Sequence, residues 1–256
     1  MAVEIRRSAA GQAMPRETVA LPADAFGPND GTTVYWLGNA GLLVNSRGTT
    51  VMIDPLLVGF DMPTLVEPPI LPKDVPAFDA LLYTHIDNDH FARETLAGLK
   101  DKAGEVHATH YVAQVARDEE HVAGAVGHDI GERFCVGNIT FTLTPTWHNW
   151  QRHMPGEKYA HRSWERSEYC GFWMETPDGT IWLPSDSRPL PEFLEMPPAD
   201  MICLDFSDNA WHIGFAGAVE LANHYPRPSC SPSTGDAWTH RSTLRSTVTP
   251  SAWQRP

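Results

Sequence analysis

No stretch of this chain approaches the roughly 20 consecutive apolar residues that a membrane-spanning helix requires, so the sequence offers no span. The first residues, Met1 to Thr18, carry arginines but no apolar segment, and no secretory signal is expected there. Cysteine is scarce. The four residues, Cys135, Cys170, Cys203 and Cys230, are scattered without C-x-x-C spacing, which fits reduced thiols and a cytoplasmic location, not a disulfide framework. Cys135, Cys170 and Cys203 fall in or beside predicted strands and read as small core residues. Positive charge is also short. Nineteen Lys and Arg face 32 Asp and Glu, and the net charge of −13 repels bare nucleic acid and anionic membrane surfaces. A nucleic-acid partner is therefore not expected. No repeat with a period of 20–50 residues is present.

What remains is an ordinary globular chain of 256 residues, 42% hydrophobic, long enough for one sizeable core. Residues 1–31 mix Pro, Ala and Gly with scattered charge and read as an arm. Residues 32–225 read as one domain. Within it, Thr32–Leu37, Gly41–Asn45 and Thr50–Ile53 read as short strands, with Arg47-Gly48 as a turn. Pro63, Pro68, Pro69, Pro72 and Pro76 keep the next segment irregular. It is either a wall of a binding site or a surface connection. Arg93–Leu99, Ala113–His121 and Gly217–His224 read as helices. Arg133–Val136 and Thr140–Thr144 form one predicted hairpin, Gly171–Glu175 and Thr180–Leu183 another, and Met201–Asp205 is an apolar strand. Between the hairpins, Trp150, His153, Tyr159, His161 and Trp164 are expected to overhang the site.

The densest chemistry lies at Thr84-His85-Ile86-Asp87-Asn88-Asp89-His90, directly after the strand-like run Phe78–Tyr83. Imidazole nitrogens and carboxylate oxygens are ligands of zinc, iron and manganese. A tight loop points neighbouring side chains in different directions, so one loop can serve two adjacent ions. Four such groups this close repel one another or stay idle without a cation.

This loop resembles the H-x-H-x-D-H signature of the metallo-β-lactamase fold superfamily, with Asp87 where the second histidine usually stands. The resemblance extends to the opening Trp36-Leu37-Gly38-Asn39-Ala40-Gly41 and Met52-Ile53-Asp54-Pro55. It extends also to a strand leading to His148 and one leading to Asp186, and so covers roughly Thr32 to His224. Within the superfamily the chain looks most similar to ascorbate-6-phosphate lactonase-like and phospholipase D-like hydrolases, which carry a histidine where this chain has Asn39. The resemblance implies an α/β fold, a four-layer αβ/βα sandwich. It implies two divalent metal ions, zinc, manganese or iron: the first on His85, Asp87 and His148, the second on Asp89 and His90, with Asp186 bridging. The implied activity is hydrolysis of a small ester, lactone or phosphoester by a metal-bound hydroxide, with Asp89 as the catalytic group that orients it and accepts its proton. A carboxylate at Asp87 shifts preference from zinc towards manganese or iron. The small-molecule substrate itself is not legible, and neither is oligomeric state.

Other residues keep two readings. Asn39 faces the metals and substrate or forms a turn. His212 reaches the substrate or lies on the surface before a helix. Asp54 supports the site or is a turn residue before Pro55. His107, His110, His121 and His128 read as surface or capping histidines.

From Pro226 the chain turns rich in Ser, Thr, Pro and Arg and loses apolar periodicity, so residues 226–256 read as an aberrant tail of low order. The family's last strand, ending in a histidine of P-x-H-W-G type, has no counterpart there, and His240 is a poor substitute. One synonymous codon choice for Pro232–His240 reads Val-His-Trp-Gly in another frame. The expectation is a frameshift shortly before Ser229, a missing last strand and a weakened second metal position. Rival functions are an iron-dependent redox enzyme of the same fold and an inactive remnant.

Overall fold

The computed structural model describes residues 7, 18–61, 64, 66–150, 164–205, 207 and 209–225, with the backbone of 229–234 and 241–243. Its first sheet opens as an antiparallel meander of β1 (Thr32–Gly38), β2 (Gly41–Ser46) and β3 (Thr49–Ile53). Arg47 and Gly48 both take positive φ, 50° and 90°, the conformation that a two-residue hairpin turn matched to strand twist requires. The chain then runs through β4 (Phe78–Leu82), α1 (Arg93–Leu99), β5 (Ala103–Thr109), α2 (His110–Asp118) and β6 (Ala125–His128). β3, β4, β5 and β6 pair in parallel, with α1 and α2 as the crossovers from β4 to β5 and from β5 to β6 and the long proline-rich segment as the crossover from β3 to β4.

The second sheet holds β7 (Arg133–Val136), β8 (Ile139–Pro145), β9 (Cys170–Thr176), β10 (Gly179–Leu183), β11 (Met201–Asp205) and β12 (Ser229–Thr234). α3 (Gly214–His224) lies between the last two in sequence. β13 (Arg241–Thr243) returns to the first sheet, antiparallel to β1. Spatial order is β13-β1-β2-β3-β4-β5-β6 in one sheet and β12-β11-β10-β9-β8-β7 in the other.

Burial explains the layering. β8 alternates buried and partly buried positions, so one face of it enters the core. Val34, Trp36, Val51 and Leu82 of the first sheet pack against Phe141, Phe172, Ile181 and Cys203 of the second, forming the inner core. The outer face of the first sheet receives Leu96 and Leu99 of α1 and Val112, Ala113, Val115 and Ala116 of α2. The outer face of the second receives Ala218 and Leu221 of α3 against Trp182, Ile202 and Leu204. Helix, sheet, sheet, helix is the four-layer αβ/βα sandwich. Among the described residues, no helix is long and apolar enough to cross a membrane.

Several expectations are corrected. No strand was expected after Pro226, yet β12 pairs with β11 from Met201↔Ser229 to Asp205↔Thr234. The ladder is a backbone interaction, and the open edge of β11 can accept a strand without an apolar pattern. Pro232, which has no N–H, falls beside the register shift between Leu204 and Asp205, where a proline is tolerated. α2 begins three residues before the predicted start at Ala113, because the extended Thr109 turns directly into it. β5 and β6 carry too few apolar residues to announce themselves. His107 and His128, read as surface or capping residues, are buried between them. Their Nδ1 and Nε2 atoms lie 2.9 Å apart, and both rings stack on Phe134. Cys170 and Cys203 are core residues as expected, but Cys135 is exposed. His153, Tyr159, His161, His240 and residues 235–240 lie outside the described residues.

Candidate metal centre

The site forms where strands end. Five non-glycine residues among those described take positive φ, and three of them flank it: Asn39 at 46°, Asp54 at 45° and Ser185 at 62°. Left-handed backbone is costly outside glycine and persists where surrounding structure over-determines it. Here it turns the chain sharply after β1, β3 and β10. Asp54 thereby points under the 84–90 loop, and Asp186 is delivered beside it.

Asp54, 1% exposed, organises the loop. Its Oδ1 accepts from the Thr84 backbone N–H at 2.9 Å, and its Oδ2 accepts from the Thr84 hydroxyl at 2.5 Å. His90 Nδ1 donates to the same Oδ2 at 2.9 Å. With its proton given to Asp54, Thr84 Oγ1 accepts from His85 Nδ1 at 3.0 Å. On the far side, His148 Nδ1 donates to the Trp211 carbonyl at 3.0 Å. Every one of these histidines has its Nδ1 proton tied down, which leaves Nε2 with the lone pair.

Those free atoms converge. Asp87 Oδ2 lies 3.3 Å from His85 Nε2 and 3.3 Å from His148 Nε2. His90 Nε2 lies 3.1 Å from Asp186 Oδ2 and 3.9 Å from Asp89 Oδ2. Ligand atoms bound near 2.0–2.2 Å to one tetrahedral ion stand about 3.3–3.6 Å apart, so most of these gaps are metal-sized. His85 Nε2, His90 Nε2 and Asp186 Oδ1 are buried with no hydrogen-bond partner. Orphaned buried polar atoms are rare and expensive unless something else binds them. His85, His148 and Asp186 can each offer an atom within 4.8 Å of the others, and so can Asp89, His90 and Asp186. The donor set fits divalent cations.

Electrostatics agrees. Burial on its own raises Asp87, but the imidazoles of His85 and His148 outweigh it and hold the carboxyl well below its usual range. Asp186 behaves likewise beside His90, His148 and His212. Burial lowers His90 and His148, yet the carboxylates facing them raise both above the ordinary histidine value: Asp186, Asp89 and Asp54 for His90, and Asp87 and Asp186 for His148.

The structure thus brings together His85, Asp87, Asp89, His90, His148 and Asp186. Asn39 Nδ2 donates to the Asp89 carbonyl at 2.9 Å, so it braces that residue. Trp150 Nε1 donates to Asp87 Oδ2 at 2.5 Å from above the site. His212 reaches the cluster, its ring 4.6 Å from that of His148. Sequence reasoning missed Thr84, the Trp211 carbonyl and Asp205, whose Oδ2 is 2.5 Å from His212 Nδ1. A buried aspartate closing an apolar strand was the available signal for Asp205. A backbone carbonyl offers none.

Comparison with known proteins follows the same lines. A beta-lactamase superfamily domain matches residues 49–232. A metal-dependent hydrolase of Thermus thermophilus is 31% identical over 116 residues, 45% of this chain and 47% of that protein. The chain thus spans about half the length of the curated relatives it matches. Among solved structures, an isothiocyanate hydrolase from Delia radicum gut bacteria superposes with a TM-score of 0.64 at 16% identity, covering 81% of this chain and 87% of that one. CmlA, a diiron β-hydroxylase from Streptomyces venezuelae, gives 0.52 at 19% identity, covering 78% and 38%. At such identities the likeness concerns the fold.

Proposed function

We infer, from a chain that belongs to the beta-lactamase superfamily and gathers these side chains, that it is a metal-dependent hydrolase of a small ester, lactone or phosphoester. The observation that carries this reading is the buried, unpartnered atoms His85 Nε2, His90 Nε2 and Asp186 Oδ1 within a cluster whose imidazoles and carboxylates stand at metal-sized spacing. The residues that would hold the ions are His85, Asp87 and His148 for one and Asp89 and His90 for the other, with Asp186 shared. Bound divalent ions lower the pKa of water to about 7 and polarise the oxygen under attack.

The protein's own part is positional. Asp54 and Thr84 keep His85 and His90 in the tautomer with Nε2 free. The Trp211 carbonyl does the same for His148. Asp89, the most exposed of the cluster, is placed to orient the attacking water and accept its proton, with Asn39 holding its backbone. Asp87 favours manganese or iron over zinc relative to a histidine there. Its carboxylate also supports the rival reading, an iron-dependent oxygen-handling enzyme.

The test is metal analysis of the purified chain with lactone, carboxylic ester and phosphodiester substrates, before and after chelation. Hydrolysis lost on chelation and restored by zinc, manganese or iron is the expected result. A metal-loaded chain that hydrolyses none of them but consumes oxygen with iron would replace this reading by its rival. The frameshift reading of the tail belongs to the gene and is tested by resequencing. In the alternative frame, Val-His falls across Pro232–Thr234, at the end of β12.

A further inference from the structure

We propose that the buried pair His107 and His128 shares a single proton and forms a proton-dependent clasp that fastens edge strand β6 to β5 and to the second sheet. β6 is the outermost strand of the first sheet, and β7 is the outermost strand of the second on its side. The clasp joins these two edges. It stands independently of the metal reading.

Four side chains form one line. Glu105 Oε2 lies 2.9 Å from His107 Nε2, His107 Nδ1 lies 2.9 Å from His128 Nε2, and His128 Nδ1 lies 2.8 Å from Glu132 Oε1. Each gap is a hydrogen-bond length. An ionised carboxylate only accepts, so the outer nitrogen of each ring must carry a proton. Two neutral imidazoles use their only N–H groups in this way, and their inner nitrogens would then face each other as two lone pairs. Three hydrogen bonds therefore need three protons on two rings, one imidazole and one imidazolium. A fourth proton would set two N–H groups against each other at the centre. Both rings are buried, so water does not replace a bond that opens there.

The surroundings favour one charge on the pair and resist two. Burial opposes a positive charge on His107, and so does His128, against the pull of Glu105, and its value falls below the ordinary one for histidine. Glu132 is held low by the Asp129 N–H, at 2.9 Å, and by His128, so it stays an acceptor. From α2, His110 lies 3.3 Å from Asp129, with both exposed, and Arg117 donates to the Ala125 carbonyl at 2.6 Å. On β7, Arg133 pairs with Glu175. These groups are engaged elsewhere. β7 contributes Phe134, whose ring stacks on His107 at 4.4 Å, on His128 at 4.3 Å and on Phe141 of the inner core at 5.1 Å. The face of an aromatic ring attracts positive charge, so the shared proton holds β7 as well as β6. With the proton bound the clasp is closed. When pH rises and the proton leaves, one of three buried hydrogen bonds must open.

The experiment is nuclear magnetic resonance of the full chain with isotope-labelled histidine over a pH series, with amide protection factors of β6 read against those of the central strand β3. The expected result is that the outer ring nitrogens stay protonated while the inner two share one proton, seen as a single resonance coupled to both nitrogens and lost at a single midpoint. Across that midpoint the protection of β6 relative to β3 should fall about tenfold or more, the effect of one buried hydrogen bond. Glu132→Gln keeps an acceptor oxygen but removes the charge, so the midpoint should move to lower pH. His128→Asn should leave β6 weakly protected at every pH. If that variant fails to fold, the wild-type chain and Glu132→Gln still decide the matter. Two rings that titrate separately, inner nitrogens that never share a proton, or β6 protection that does not change across the midpoint would each overturn the proposal.

Discussion

Replacing Asp54 by Asn separates the folding role of this buried carboxylate from its control of the metal site. The wild-type carboxylate accepts three hydrogen bonds, two from Thr84 and one from His90 Nδ1. In Asp54→Asn, the amide oxygen can keep the Thr84 backbone N–H. The amide nitrogen replaces Oδ2 and turns an acceptor into a donor. The Thr84 hydroxyl can rotate to accept, and His90 Nδ1 can accept only by moving its proton to Nε2. That proton then sits on the nitrogen 3.1 Å from Asp186, where a cation would bind. Hydrogen bonds to charged groups contribute about 1.5–3 kcal/mol each, and most of them re-form here, so the net loss of stability is about 1–3 kcal/mol. In a domain of this size that is roughly 2–12 °C in melting temperature. Metal affinity should fall by more, about 10–100-fold, because the tautomer is wrong. Asp54→Ala leaves three buried donors unpaired and should instead cost about 3–5 kcal/mol of fold stability. The assay is metal titration against a chelator with thermal melts of the metal-free proteins. Asp54→Asn that binds both ions like wild type would refute the tautomer argument.

Asp89→Asn should keep its metals yet lose about 10²-fold or more in turnover, since the proton acceptor is gone; near-normal activity at full metal content would remove Asp89 from the mechanism. Asp87→His should retain zinc better through dialysis, and unchanged or poorer retention would mean that Asp87 does not bind the ion. The metal-free protein should show a pH optimum of stability. Asp87 and Asp186, held low, contribute above about pH 4 and lose that contribution as pH falls through their depressed values, while His90 and His148, held high, contribute fully below about pH 6.5 and lose theirs as pH rises through their raised values. Melting temperature of the metal-free chain should therefore drop as pH rises above about 6.5, and metal should cancel that drop because it takes the place of the protons. A metal-free melting temperature that stays flat or rises as pH increases above about 6.5 would contradict the assignment.

How much of this was legible depended on whether a signal was local. His85, Asp87, Asp89 and His90 crowd one loop, so their chemistry is visible in seven letters. His148 and Asp186 were readable because each follows a recognisable strand, β8 and β10. Thr84 and Trp211 act through a hydroxyl and a carbonyl on chain segments far from their partners, and no residue pattern announces that. Asp205 was read as the end of a strand, which it is, but its partner lies beyond a turn. His107 and His128 are buried only because β5 and β6 lie side by side, a fact of topology. The tail misled because side-chain pattern was the only guide, while β12 is held through its backbone. Asn39 keeps both of its readings: its positive φ makes it a turn residue, and its bond to the Asp89 carbonyl sets it beside the site.

The central claim is that this cluster holds divalent metal, and anomalous diffraction from crystals of the chain grown with manganese or zinc tests it most directly. The account predicts two peaks a few ångströms apart, one between His85, Asp87, His148 and Asp186 and one between Asp89, His90 and Asp186. A well-ordered map without anomalous density there, with the imidazoles bonded only to carboxylates, would contradict it.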